Sequence, residues 1–232
     1  MNKHTCFYNA IFTKFNENIE YNTNLYVSMS YPSYYKLKNC TCSINKDIIK
    51  KLNSRILLDI NTFKDSISKE EVEENKVNIE QNQPIVKYKL ISNYDTTFNK
   101  NQIISSKIKF MVFNNKVNDV LYDEVYNYNV DLSTGNTLLL KDVFMPNVDY
   151  LKVINSYIKY KINQNKNYFF TDTFVKATND QAFYLTDDAL IIYFTSGTIA
   201  PKEFDTIKFK MEYKKFLPYI NPKLYCTPQN IE

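Results

Sequence analysis

Acid–base or nucleophilic chemistry needs side chains that titrate or attack near neutral pH, and this chain offers few arrangements of them. Its only histidine is His4, so Ser-His-Asp and Cys-His relays would require the start of the chain to fold back onto a distant nucleophile. The same scarcity excludes metal sites built from several histidines. Glycine occurs only at Gly135 and Gly197, which excludes the glycine-rich loops whose backbone amides cradle nucleotide phosphates. Carboxylates, tyrosines and lysines are left. Asp187 with Asp188, Asp131 with Asp142, and Asp123 with Glu124 are the pairs that could serve glycoside chemistry, which needs two carboxyl groups across a cleft. Asp123 and Glu124 are adjacent on a predicted strand and point to opposite faces. Asp187-Asp188 most simply forms a turn, where aspartate accepts local backbone bonds. The expectation is therefore no catalytic residue and no enzyme, with an unrecognised carboxylate-based hydrolase as an alternative.

The cysteines are Cys6, Cys40, Cys42 and Cys226. Cys40 and Cys42 alternate along an extended segment, share one face and are poorly placed to bridge each other. Their pairing is open, and the simplest reading is free thiols in a reducing compartment. One C-x-C and two singletons lack the paired knuckles of a four-cysteine zinc site, so neither metal nor cofactor is expected.

Twenty tyrosines and no tryptophan supply many rings with a polar tip, a composition suited to protein or glycan contacts. Tyr31-Pro32-Ser33-Tyr34-Tyr35 is the densest cluster, and Tyr31, Tyr34 and Tyr35 are candidate contact residues. A bias of composition toward Tyr, Asn, Lys, Ile and Phe explains part of the richness. Twenty-nine basic and 25 acidic residues, net charge +4, are interspersed without a basic block, so no nucleic-acid footprint is present. No apolar run is long enough to span a bilayer, and the first residues lack an apolar signal core. If Met1 is the native start, synthesis is cytoplasmic.

The elements that must position these residues follow from periodicity. Strands are predicted around Thr5–Phe12 and Asn24–Tyr31, with Asn16-Glu17-Asn18 as the polar link of a hairpin. Ile48, Ile49, Leu52, Ile56, Ile60 and Phe63 fall on one helical face. Residues 68–83 are polar and acidic and read as a frayed helix end or a mobile loop. Strands are predicted over Ile85–Tyr94, Ile103–Phe113 and Leu121–Leu132, the last half-buried, with Tyr126, Tyr128, Val130 and Leu132 inward and Asn127, Asn129 and Asp131 outward. Ser133-Thr134-Gly135-Asn136 is a turn, after which Thr137–Leu140 returns as a partner strand. A second helix starts near Asp149, with Asn147 or Asp149 able to cap it, Leu151, Ile154, Ile158 and Ile162 as its stripe and Tyr150 and Tyr157 beside it. Ala182–Thr186 and Ala189–Thr195 form a hairpin, and Ile207, Phe209 and Met211 mark a final strand. The order predicts an α+β fold of antiparallel hairpins with two main amphipathic helices, in two pseudo-repeated subdomains, 1–105 and 106–232.

The series Tyr128-Asn129-Val130-Asp131-Leu132-Ser133-Thr134-Gly135-Asn136, then Leu138-Leu139-Leu140-Lys141-Asp142-Val143-Phe144, then a helix, Phe183-Tyr184-Leu185-Thr186, Leu190-Ile191-Ile192-Tyr193-Phe194 and Ile199-Ala200-Pro201 resembles the RsiV-like ectodomain family. Its paired domains of unknown function also occur beside peptidoglycan deacetylase domains. The resemblance runs over about Asn127–Lys214 and more weakly over Tyr31–Ser105. It implies an α+β fold and a non-catalytic module of the bacterial cell envelope that recognises lysozyme, peptidoglycan or another envelope protein. The partner would be a protein or cell-wall glycan, held by the loop Thr195, Ser196, Thr198, Ile199 and Pro201 and nearby tyrosines. Asn114–Asp119 stands where the family carries a glycine- and histidine-containing turn, and Lys202-Glu203-Phe204-Asp205 where it carries an aromatic, glycine-containing loop. The alternative of another class is a structural protein of a bacterial surface layer such as the spore coat, consistent with tyrosines and cysteines available for cross-linking.

Overall fold

The computed structural model describes residues 8–37, 44–117, 120–170, 175–204 and 206–225. His4 and all four cysteines lie outside the described residues, and with them the readings of thiol pairing. The strands are β1 (Ile11–Tyr21), β2 (Leu25–Lys36), β3 (Tyr88–Lys100), β4 (Ile103–Asn114), β5 (Val120–Asp131), β6 (Phe183–Leu185), β7 (Ala189–Phe194) and β8 (Ile207–Glu212). The α-helices are α1 (Lys46–Glu80), α2 (Tyr150–Gln164) and the single turn α3 (Tyr213–Phe216). Five strands form one sheet in the order β1-β2-β3-β4-β5 and three form another, β6-β7-β8. The fold is α+β, and the order of a long helix followed by three sequence-adjacent strands occurs twice, as α1-β3-β4-β5 and α2-β6-β7-β8. No helix among the described residues is long and apolar enough to cross a membrane.

The chain divides into two compact units that interleave in sequence. The first comprises Ala10–Thr96 and Lys107–Tyr126. Its β1–β2 hairpin runs in antiparallel register from Ile11↔Lys36 to Tyr21↔Tyr26. Asn16-Glu17-Asn18, expected as the link, lies mid-strand instead, opposite Tyr31, Ser30 and Met29. The reversal comes at residues 22–24, where the Asn22 side chain accepts the Thr23 N–H at 2.6 Å, turn chemistry that the 16–18 segment does not use. The next pair departs from the all-antiparallel expectation: β2 and β3 are parallel, from Leu25↔Tyr88 to Met29↔Ser92. A parallel pair needs a crossover rather than a tight turn, and α1 supplies it.

Helix α1 is one continuous element of 35 residues, roughly 52 Å long. Asn45 caps it by accepting the Asp47 N–H at 2.9 Å. Ile49, Leu52, Ile56, Ile60, Phe63 and Ile67 form its buried stripe, and the same stripe continues through Glu71, Asn75 and Asn78. That continuation corrects the reading of residues 68–83 as a frayed end or mobile loop. Polar side chains occupy the inward positions of the last turns, so hydropathy fades while the helix persists. Phe63 stacks on Phe110 with ring centroids 4.3 Å apart, and Tyr126 meets Phe110 edge-on at 5.1 Å.

The second unit comprises Met1–Asn9, Thr97–Ser106 and Asn127–Glu232. Asn101 and Gln102 both take positive φ, 51° and 62°, the two-residue turn that suits the twist of an antiparallel hairpin between β3 and β4. The three-stranded sheet is antiparallel, with registers Phe183↔Ile192 and Ala189↔Glu212. Ile154 and Ile158 of α2 pack with Leu140, Val143, Leu185, Leu190, Ile192, Phe209 and Met211 in one core cluster. Asp149 caps α2 by accepting the Lys152 N–H at 3.1 Å. Gly135 takes φ 80° in the predicted turn, but only an isolated bridge, Val130↔Thr137, follows it before a 3-10 turn over Leu140–Val143. The face expected outward on β5 is half-buried at Asn127 and Asp131 and buried at Asn129. Asn129 is buried, accepting from Ser105 Oγ at 2.6 Å and donating to the Phe183 carbonyl at 2.9 Å, while Ser105 Oγ accepts the Leu185 N–H at 3.0 Å.

Candidate functional site

The carboxylates that could have formed an acid–base pair hold other partners. Asp187 pairs with the nearly buried Lys100 at 2.7 Å, and the Lys100 ammonium also lies 4.6 Å from the centre of the Tyr8 ring. Asp188 pairs with Lys210 at 2.6 Å, and that bond is the main cause holding its carboxyl below the usual range. Asp131 accepts the Ser133 N–H at 2.8 Å, and Asp142 accepts the Leu139 N–H at 2.9 Å. In the first unit Asp123 pairs with Lys109 at 2.7 Å. Glu124 lies by the Tyr126 hydroxyl, whose ionisation is pushed up by burial first and by that carboxylate second. Each acid stabilises a turn, a pair or a hydroxyl.

The tyrosines picked from sequence belong to the first unit, and the loop Thr195–Pro201 to the second. Tyr34 is 3% exposed, bonded through its hydroxyl to Thr96 Oγ1 at 2.9 Å and through its N–H to the Asn53 side chain at 2.7 Å. It is a core residue. Tyr31 is half-buried, and Tyr35 is exposed beside Phe12, ring centroids 5.7 Å apart. In the loop, Ile199 is 3% exposed and belongs to the core cluster, so it anchors the loop from beneath. Thr195, Thr198 and Gly197 are exposed and Ser196 and Pro201 half-buried.

The loop holds itself in shape. Thr195 and Thr198 hydroxyls bond at 2.8 Å, the Thr198 N–H donates to the Thr195 carbonyl at 3.1 Å, and Ser196 Oγ donates to the Lys202 carbonyl at 3.2 Å. The Phe170 N–H donates to the Ile199 carbonyl at 3.1 Å, which fixes the neighbouring segment to the loop base. Phe204, in the 3-10 turn Lys202–Phe204, meets Tyr168 edge-on at 5.2 Å. Tyr168, Phe170 and Phe204 are all exposed. A prestructured polar loop is thus bordered by three large rings open to solvent.

Sequence reading missed the surroundings of α2. A cleft of about 720 Å³ is lined by Asn147, Val148, Ser156, Tyr157, Tyr160, Phe216 and Tyr219 among others, and a second of about 650 Å³ by Leu151, Lys152, Asn155, Lys159, Ile162, Val175 and Lys176 among others. The pairing of Phe144 with Ile220 and the Met145 N–H to Tyr219 carbonyl bond, 2.8 Å, set Tyr219 against the helix. The available signal was local: Tyr157 and Tyr160 on a helix with lysines and no acid.

A family model described as a protein of unknown function (DUF3298) matches residues 141–214. No curated protein matches the sequence. Among solved structures, a DUF3298 family member from Bacteroides fragilis is 13% identical with a TM-score of 0.67, over 91% of this chain and 93% of that one. A DUF3298 family protein from Pseudomonas aeruginosa PAO1 is 12% identical with a TM-score of 0.60, over 94% of this chain and 97% of that one. These likenesses are likenesses of fold.

Proposed function

We propose that this chain is a non-catalytic binding module of the bacterial cell envelope, of the RsiV-like kind, that holds a protein or cell-wall glycan against the 195–201 loop. The carrying observation is the exposed Tyr168–Phe204 ring pair, together with the exposed Phe170 tied by its N–H to Ile199 at the base of that self-bonded loop. Rigid aromatic surface beside fixed polar groups binds with little ordering cost, which is where interface energy concentrates. The carboxylates engaged in caps and ion pairs support a non-catalytic reading.

Lysozyme is the first partner to test. Calorimetry with lysozyme and with soluble peptidoglycan fragments should give binding to one of them that Tyr168→Ser and Phe204→Ser weaken by about tenfold. Absence of heat with both, or binding indifferent to both substitutions, sinks this form of the proposal. The exposed Tyr8, Tyr21, Tyr160 and Tyr168 favour a second reading, a cross-linked structural protein of a surface layer such as the spore coat. Mass spectrometry of purified spores would carry dityrosine-linked peptides of this chain in that case, and their absence removes it.

A further inference from the structure

We infer that the solvent side of α2 is a binding site for an anionic oligosaccharide, separate from the 195–201 loop. Over Tyr150–Gln164 the helix carries Lys152, Lys159 and Lys161 and no Asp or Glu. Lys152, Lys159 and Lys176 all line the second cleft, and no ion pair engages any of the three among the described residues. The one acid lining both clefts, Asp149, accepts the Lys152 N–H as the helix cap. Lys161 is set apart, its ammonium 5.8 Å from the centre of the Tyr157 ring. Even with Asp149 counted, one side of the helix therefore presents net positive charge.

The other side presents rings. Tyr157 is fixed, its hydroxyl donating to the Lys210 carbonyl at 2.5 Å and its ring meeting Phe216 edge-on at 5.3 Å. Tyr160 is 57% and Tyr219 43% exposed. The aliphatic members of this cleft, Val148 and Val153, are half-buried. The most exposed apolar surface of this cleft is that of the Tyr160 and Tyr219 rings, which suits the flat C–H face of a pyranose better than the aliphatic ridge of a peptide helix. Ser156 and Lys152 line both clefts, so one extended ligand can stack a sugar on the tyrosines and lay its carboxylates or phosphates along the lysines. Lysines at open positions give steep salt dependence and modest affinity per contact.

The full chain would be titrated calorimetrically with an alginate hexasaccharide, neutral chitohexaose and hexaglutamate. The expected result is alginate binding that weakens as salt rises, at least about tenfold weaker binding of the other two, and about tenfold loss in a Lys152→Gln/Lys159→Gln/Lys176→Gln variant. Tyr160→Ala should weaken it too, whereas Tyr168→Ser, which disables the loop surface, should leave it unchanged. All of these positions are exposed, and unchanged circular dichroism and melting confirm folding. Hexaglutamate binding as tightly as alginate would overturn the proposal in favour of an acidic peptide. Equal, salt-insensitive binding of chitohexaose would overturn its anionic part, and no alginate binding, or indifference to the lysine or Tyr160 variants, would overturn the site.

Discussion

The Asn75 side chain forms with Val86 both hydrogen bonds of a strand-like pair, donating from Nδ2 to the carbonyl at 2.8 Å and accepting the N–H at Oδ1 at 2.7 Å. Asn75 also donates to Glu71 at 2.8 Å, and all three residues are buried. The amide thereby satisfies the backbone that leads from α1 into β3, where no regular partner exists. Asn75→Leu keeps the volume and improves helix propensity but strands the N–H and carbonyl of Val86. It should destabilise the chain by about 2–4 kcal/mol. Urea denaturation reads the change; a loss below about 1 kcal/mol would mean that the Val86 groups find other partners.

A second prediction concerns pH. Glu74 is held below the usual carboxyl value of 4.5, first by the Lys116 bond at 2.6 Å and then by the Tyr88 hydroxyl. A depressed carboxyl contributes stability that is present above its unfolded value and is lost as pH falls through the folded one. The denaturation midpoint should therefore fall below about pH 4.5, and Glu74→Gln should flatten that limb. Tyr88 and Tyr122 act at the other end. Burial first, then the bonds to Glu74 and Glu70 respectively, push their ionisation above the ordinary value of 10.0. Their contribution is full below that value and drains as pH rises beyond it, so Tyr122→Phe should reduce the alkaline loss. An alkaline limb identical in Tyr122→Phe counts against the assignment.

The fold was legible where hydrophobic period and turn chemistry agree. The Ile49–Phe63 stripe, the turn at Gly135, the cap at Asp149 and the Asp187-Asp188 reversal before β7 all stand where their residues place them. It was illegible where burial falls on polar residues. Asn75 and Asn129 occupy inward positions because each satisfies backbone groups that no regular ladder reaches, and hydropathy scores both as solvent-facing. The parallel β2–β3 pair was hidden for a related reason: local signals report turns, whereas a crossover is fixed by what the helix between the strands packs against. At the candidate site, exposure was legible for some residues and not for others. Alternation could not show that Tyr34 turns inward to Thr96, nor that Ile199 anchors rather than contacts.

Gly197 sets the loop geometry, and the cause can be isolated. Its φ is +74°, a region that costs an L-residue about 1 kcal/mol. A Cβ there would also lie 3.0 Å from Lys202 Cγ, part of a flexible side chain able to move aside. Backbone conformation should therefore dominate, and Gly197→Ala should lower stability by about 1 kcal/mol. Gly135→Ala, at φ 80° in a different turn, should cost about as much. Only the Gly197 variant should disturb the Thr195–Thr198 hydroxyl bond and weaken the binding proposed for the loop. Adding Lys202→Ala to Gly197→Ala separates the two causes: the double variant should stay as unstable as the single one, and recovery of full stability would show that the contact with Lys202, not the positive φ, requires glycine here.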